Sequence, residues 1–180
     1  MVGAFYKGAS VVSLRQALRA RGLERSVADG LEPLVREHFE GALATDWMAV
    51  DEVATIYAAA APLLHPERAL PVRALGRDLA RTHLTGIYRV LLRLATAEMI
   101  VGQTARLWST YNGKGQLRVV RNGPGAARLV LEDYPEYPAV VRESLCGYMV
   151  GAVELTGASN VRVVSEAGTD GAWTFDVTWR

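Results

Sequence analysis

Three histidines, one cysteine and a scatter of serines are the side chains here able to do acid–base, nucleophilic or metal chemistry, and their spacing decides which of these is open. His38, His65 and His83 lie far apart, with no Cys, Asp or Glu at the separations that build a compact zinc site. His38 and His65 read as structural or solvated. His83 falls in the most apolar helical stretch, where an imidazole could contact a ligand or haem iron, although a hydrogen-bonded buried histidine is the simpler reading. Cys146 sits in a helix apolar nearly all round, with no cation on that face to lower its pKa, so it reads as a small hydrophobe. Ser13, Ser26, Ser109, Ser144, Ser159 and Ser165 lack the context of a nucleophile elbow. The adjacent acids Asp51-Glu52 and Glu132-Asp133 point in different directions on either a helix or a strand, which leaves no pair poised for acid–base catalysis. Gly123-Pro-Gly125 is followed by a strand pattern, whereas a phosphate loop needs a helix start behind it. An enzyme is therefore the weakest class. Trp108, Tyr111 and Tyr148 are aromatic residues on apolar surfaces, suited to core packing or to lining a pocket.

The elements that must position these residues are clearest in the last third of the chain. Trp173, Phe175, Val177 and Trp179 alternate with Thr174, Asp176 and Thr178, the period of a strand covered on one face. Its partner is 160–165, and the glycines of 166–171 suit the hairpin between them. Residues 116–121 and 127–132 repeat the arrangement around Asn122-Gly-Pro-Gly125. Between the hairpins, 136–156 predicts a helix with one apolar line at Val141, Leu145, Tyr148, Ala152 and Leu155, and a second at Cys146, Met149, Val150 and Val153. Such a helix must be covered on several sides. Gly147 and Gly151, one turn apart, allow close approach of another backbone, and Gly157 ends the helix.

Upstream, the pattern predicts helical cover. Residues 4–12 read as a loose terminus pinned by Phe5, Val11 and Val12; Ser13 caps a helix to about Arg21, stopped by Gly22. The four arginines Arg15, Arg19, Arg21 and Arg25 read as a solvated face, not a DNA-binding unit. A second helix from Asp29 or Gly30, with Pro33 in its first turn, would bury Leu34, Val35, Phe39 and Leu43. Asp46 would cap a third over 47–61, with stripe Trp47, Val50, Ala54 and Tyr57, closed by Pro62. Residues 71–111 predict two helices, or one bent near Gly86 or Thr96, with Thr96 and Glu98 able to start the second. The expected fold is α+β: an N-terminal helical layer over 1–111 packed on an antiparallel ββαββ unit over 115–180 with a buried central helix, all in a single domain 1–180.

A content of 50% hydrophobic and 22% charged residues in 180 fits one full core. The net charge of +1 argues against a nucleic-acid surface. One cysteine suits a reducing interior, and neither a secretory signal nor an apolar run of about 18 residues is visible, so a cytoplasmic protein without a membrane span is expected.

With both layers in place, the chain resembles the superfamily shared by haem-dependent nitric-oxide sensors, TRAPP trafficking components and 4-vinyl-reductase-like domains. The residues that carry this are Glu143-Ser-Leu-Cys-Gly-Tyr-Met-Val-Gly-Ala-Val-Glu-Leu-Thr-Gly157, Asn160-Val-Arg-Val-Val and Trp173-Thr-Phe-Asp-Val-Thr-Trp. Leu107-Trp-Ser-Thr-Tyr-Asn-Gly113, with Trp47 and Leu75-Gly76-Arg77, looks like an uncharacterised family found mainly in myxobacteria. The resemblance implies an apolar pocket between helices and sheet that holds haem, an acyl chain or an aromatic effector in different members. The haem sensors carry a Tyr-x-Ser-x-Arg motif, and the vinyl-reductase-like sensors carry several cysteines near the final hairpin. This sequence has neither, so no cofactor and no metal is expected. Cys146 is the residue that could match the buried cysteine of acylated trafficking components. The expectation is a non-enzymatic homodimeric module, sensory or regulatory, that binds a small hydrophobic ligand through His83, Trp108, Tyr111, Cys146 and Met149 and signals to a protein partner. The alternative is a scaffold with a filled core.

Overall fold

The computed structural model describes residues 4–84, 95–168 and 170–180. In chain order the elements are β1 (Phe5–Lys7), α1 (Ala9–Ala20), α2 (Glu24–Asp29), α3 (Pro33–Gly41), β2 (Trp47–Ala49), α4 (Val50–Leu64) and α5 (Pro71–Leu84). There follow α6 (Ala97–Tyr111), β3 (Gln116–Gly123), β4 (Ala126–Glu132), α7 (Ala139–Glu154), β5 (Arg162–Ala167) and β6 (Trp173–Thr178). This is the α+β arrangement expected, a helical layer followed by ββαββ.

The four strands form one antiparallel sheet in the order β3-β4-β6-β5. The two hairpins are joined by pairing of β4 with β6, in the register Leu129↔Phe175 and Ala127↔Val177. Alternation sorts the faces: Leu117, Ala127, Leu129, Leu131, Val163, Phe175 and Val177 are buried, while Arg128 and Asp176 pair on the other face at 2.6 Å.

Helix α7 explains its own composition by having three different neighbours. Cys146, Met149 and Val153 pack in the core against the sheet. Leu145, Tyr148 and Ala152 face a cavity. Ser144, Gly147 and Gly151 meet α5 so closely that a Cβ on Gly147 would collide with the Arg73 carbonyl oxygen, and one on Gly151 would stand 2.6 Å from that of Arg77. Gly76 of α5 reciprocates against the Ser144 carbonyl. Close packing is thus what the glycines serve. Arg73–Glu143 at 2.5 Å and Arg77–Glu154 at 2.7 Å flank the crossing.

The helical layer departs from the local pattern in several places. Residues 5–7 are not a loose terminus: they pair with 47–49 in a two-stranded sheet, Phe5↔Ala49 and Lys7↔Trp47. The third helix therefore begins at Val50, Trp47 is 45% exposed outside its stripe, and Pro62 lies inside the helix, which ends at Leu64. Asp46 accepts from the Leu43 amide at 2.8 Å instead of capping α4. Helix α1 starts at Ala9, so Ser13 is interior, not an N-cap. The helix expected from Asp29 or Gly30 begins at Pro33 as α3, and the short α2 before it was not expected; of the proposed buried face Phe39 is fully buried, whereas Leu34 and Leu43 are 60% and 62% exposed. Thr96 does cap α6, accepting from the Met99 amide at 3.3 Å. The alternative bend at Gly86, and the apolar positions Ile87, Val90, Leu91 and Leu94, lie outside the described residues. No helix among the described residues is long and apolar enough to cross a membrane.

Candidate functional site

Helices α4 to α7 do not close on one another completely. They leave a partly open cavity of about 110 Å³. Its walls are Leu79 and His83 from α5, Ile100, Thr104, Leu107, Trp108 and Tyr111 from α6, and Leu145, Tyr148 and Ala152 from α7. Tyr57 of α4, with Tyr6 and Ser10, completes it. The lining is predominantly apolar, and no Asp, Glu, Lys or Arg is among these described residues.

The structure brings three of the five expected site residues to this cavity. His83 shares a 2.9 Å hydrogen bond between Nε2 and Ser13 Oγ, and its ring is tilted against Tyr148 with centroids 6.0 Å apart. Burial lowers its pKa, because an imidazolium there would lose hydration without gaining a carboxylate, and the ring is neutral near pH 7. Trp108 is buried with its indole N–H donating to the carbonyls of Lys114 and Gly115, both at 3.1 Å. That satisfies its one polar atom and leaves carbon surface for the cavity. Tyr111, 41% exposed, stands at the outer wall beside Leu107.

Cys146 and Met149 lie elsewhere. Both are buried on the sheet side of α7 and neither lines the cavity. Burial pushes the Cys146 thiol up, with Ser165 and Arg73 only partly offsetting it, so the thiol is protonated and shielded. His38, exposed, and His65, largely buried, each pair with a carboxylate, Glu52 at 3.0 Å and Asp78 at 3.4 Å. Among the described residues no group of three or more His, Cys, Asp or Glu is placed to hold a metal ion.

Tyr57, Tyr6, Ser10, Gln103 and Thr104 line the cavity without being among the expected site residues. Tyr57 is legible as a buried position in an amphipathic stripe, but nothing local shows that it lines a void. The Tyr57 hydroxyl is buried and has no hydrogen bond of ordinary length, with the Ser10 hydroxyl as its polar neighbour. Desolvation raises its pKa far above the usual phenol value. Tyr6 and Ser10 come from the terminal segment that the β1–β2 pairing orders.

The model of a family described as "Protein of unknown function (DUF2378)" matches residues 12–180. The chain belongs to that family. Among curated proteins nothing matches it. Solved structures resemble it over nearly the whole length. An H-NOX protein from S. oneidensis in the Fe(II) ligation state, a triple mutant, aligns with a TM-score of 0.68 at 14% identity, covering 97% of this chain and 96% of that one. An Fe(II) unliganded H-NOX mutant from K. algicida gives 0.67 at 12% identity, covering 97% and 96%. The oxygen complex of an oxygen-binding H-NOX domain related to soluble guanylate cyclases gives 0.58 at 14%, covering 96% and 92%. At such identities the likeness establishes the fold, which is that of the H-NOX domains.

Whether a haem suits this chain is a question for its own residues. His83 is the one imidazole at the described cavity and its Nε2 is engaged by Ser13. No cationic side chain is available among the described lining residues to meet two propionates. The cavity is also on the scale of a single ring, since an engineered void of about 150 Å³ holds benzene. The described residues do not fit a haem.

Proposed function

We propose that this protein is a non-enzymatic cytoplasmic sensory domain, one domain over 1–180, that binds a small hydrophobic molecule in the cavity between α4, α5, α6 and α7 and signals occupancy to a protein partner. The observation that carries this reading is the cavity itself, an apolar void walled by four helices and free of charged side chains among the described residues. A ligand there touches helices of both layers at once, so occupancy can bias how α5 and α6 sit on α7. His83, Trp108 and Tyr111 would contact the ligand directly; Cys146 and Met149 would act only by supporting α7. Homodimerisation and the wider kinship with TRAPP components, 4-vinyl-reductase-like domains and a myxobacterial family belong to the same reading. The cavity favours it over a scaffold with a filled core.

The test is native mass spectrometry of freshly purified protein, compared with its denatured mass, together with a thermal-shift panel of small apolar compounds. Extra mass lost on denaturation, or a rise in melting temperature, supports the reading. A ligand at about a hundred times its Kd stabilises by about 2.7 kcal/mol, or about 5–11 °C for a chain of this size. An apo mass with no shift across the panel would sink it. Light scattering checks the dimer.

A further inference from the structure

Among the described lining residues, one buried side-chain polar atom is left without a hydrogen bond. Tyr57 is 1% exposed, lines the cavity, and its hydroxyl lacks a partner among the described residues. A buried O–H with no acceptor costs free energy that a bound acceptor would recover. The neighbouring Ser10 hydroxyl donates its proton to the Lys7 carbonyl at 3.3 Å, which leaves it no proton for a ligand. Two more polar groups nearby are engaged: Thr104 Oγ1 donates to the Ile100 carbonyl at 3.0 Å, and the Asn112 side-chain amide donates to the Trp108 carbonyl at 3.2 Å. A water molecule is a poor occupant, because it needs two to four partners and these walls are mostly carbon. A carbonyl oxygen is a better one. It accepts the Tyr57 proton and requires no acceptor in return.

Charge narrows the class further. No described lining residue carries a formal charge at neutral pH, so an ionised ligand would lose hydration there without gaining a counter-ion. Resting on the pocket reading above, we propose that the ligand is an uncharged molecule about one ring in size whose single carbonyl oxygen accepts the Tyr57 hydroxyl proton, and that a carboxylate on the same frame is rejected.

Titration calorimetry of the full chain with three probes tests this: acetophenone, its isostere α-methylstyrene with CH₂ in place of the carbonyl oxygen, and benzoate. The unmodified chain should bind acetophenone about ten-fold more tightly than α-methylstyrene, and benzoate not measurably. In Tyr57→Phe, which removes only the unpaired hydroxyl, the preference should fall below about two-fold. Equal affinity for the two isosteres, a preference that survives in Tyr57→Phe, or benzoate binding as tightly as acetophenone overturns the assignment while leaving an apolar pocket standing. Failure of both neutral probes on the unmodified chain overturns the assignment and counts against the pocket as well. The isostere comparison needs no variant, so it decides the matter even if Tyr57→Phe does not fold.

Discussion

Gly147→Ala and Gly102→Ala make the same chemical change on two helices, and the structure predicts opposite signs. Replacing an interior helical glycine by alanine gains about 1 kcal/mol from backbone entropy alone. At Gly102, inside α6, the new methyl would meet no described atom within 4 Å beyond its own stretch of helix, so that gain should appear in full. At Gly147 the methyl would overlap the Arg73 carbonyl oxygen of α5, a backbone atom that cannot rotate away. The helices would have to part, lengthening the 2.5 Å Arg73–Glu143 pair beside the crossing and loosening the packing of Ser144 on Gly76. Overpacking of this kind costs about 1–3 kcal/mol and more where backbone must move. Net of the propensity gain, Gly147→Ala should destabilise by about 2 kcal/mol or more. For a chain of this size that lowers the melting temperature by about 4–8 °C, against a rise of about 2–4 °C for Gly102→Ala. Calorimetry or urea unfolding of the two variants beside the parent reads both. A Gly147→Ala protein as stable as the parent would mean that α5 and α7 do not cross in backbone contact, and the description of the fold's centre would be wrong.

Two further outcomes follow from buried titratable groups. Burial holds the His83 pKa below its ordinary value, so the unfolded chain binds more protons and stability falls as pH drops through about 6.5; the urea midpoints at about pH 7.5 and about pH 5 should lie closer together in His83→Phe than in the parent, and an unchanged gap would refute the assignment to this ring. Cys146 is fully buried with its thiol pushed up, so labelling by an aromatic disulfide reagent at about pH 8 should wait on unfolding and accelerate many-fold in denaturant; immediate stoichiometric labelling of the folded chain would contradict its placement.

The ββαββ unit was readable because its signals are local. Period-2 alternation in 173–179 and glycines at the turns specify hairpins without reference to anything distant, and β5–β6 pairs Val163 with Val177 as that pattern implies. The expectation that α7 is covered on several sides also came from its own residues, since polar positions are too few for a solvated face. The errors fell where pairing is long-range. Trp47–Ala49 has an apolar spacing compatible with a helix, and only the presence of Phe5–Lys7 alongside makes it a strand. Leu34 and Leu43 sit on helical periodicity yet face outward, because nothing among the described residues covers them.

The same division runs through the candidate site. Residue types alone determined that no metal cluster, nucleophile elbow or acid pair is spelled out, and that His83, Trp108 and Tyr111 belong to apolar helical surface. Only the tertiary structure decided that these three share a cavity with Tyr57, while Cys146 and Met149 turn to the sheet. The physical reason is geometric. A helix's sequence shows which positions want burial, but not which neighbour buries them, and a cavity is the place where several neighbours fall short of meeting.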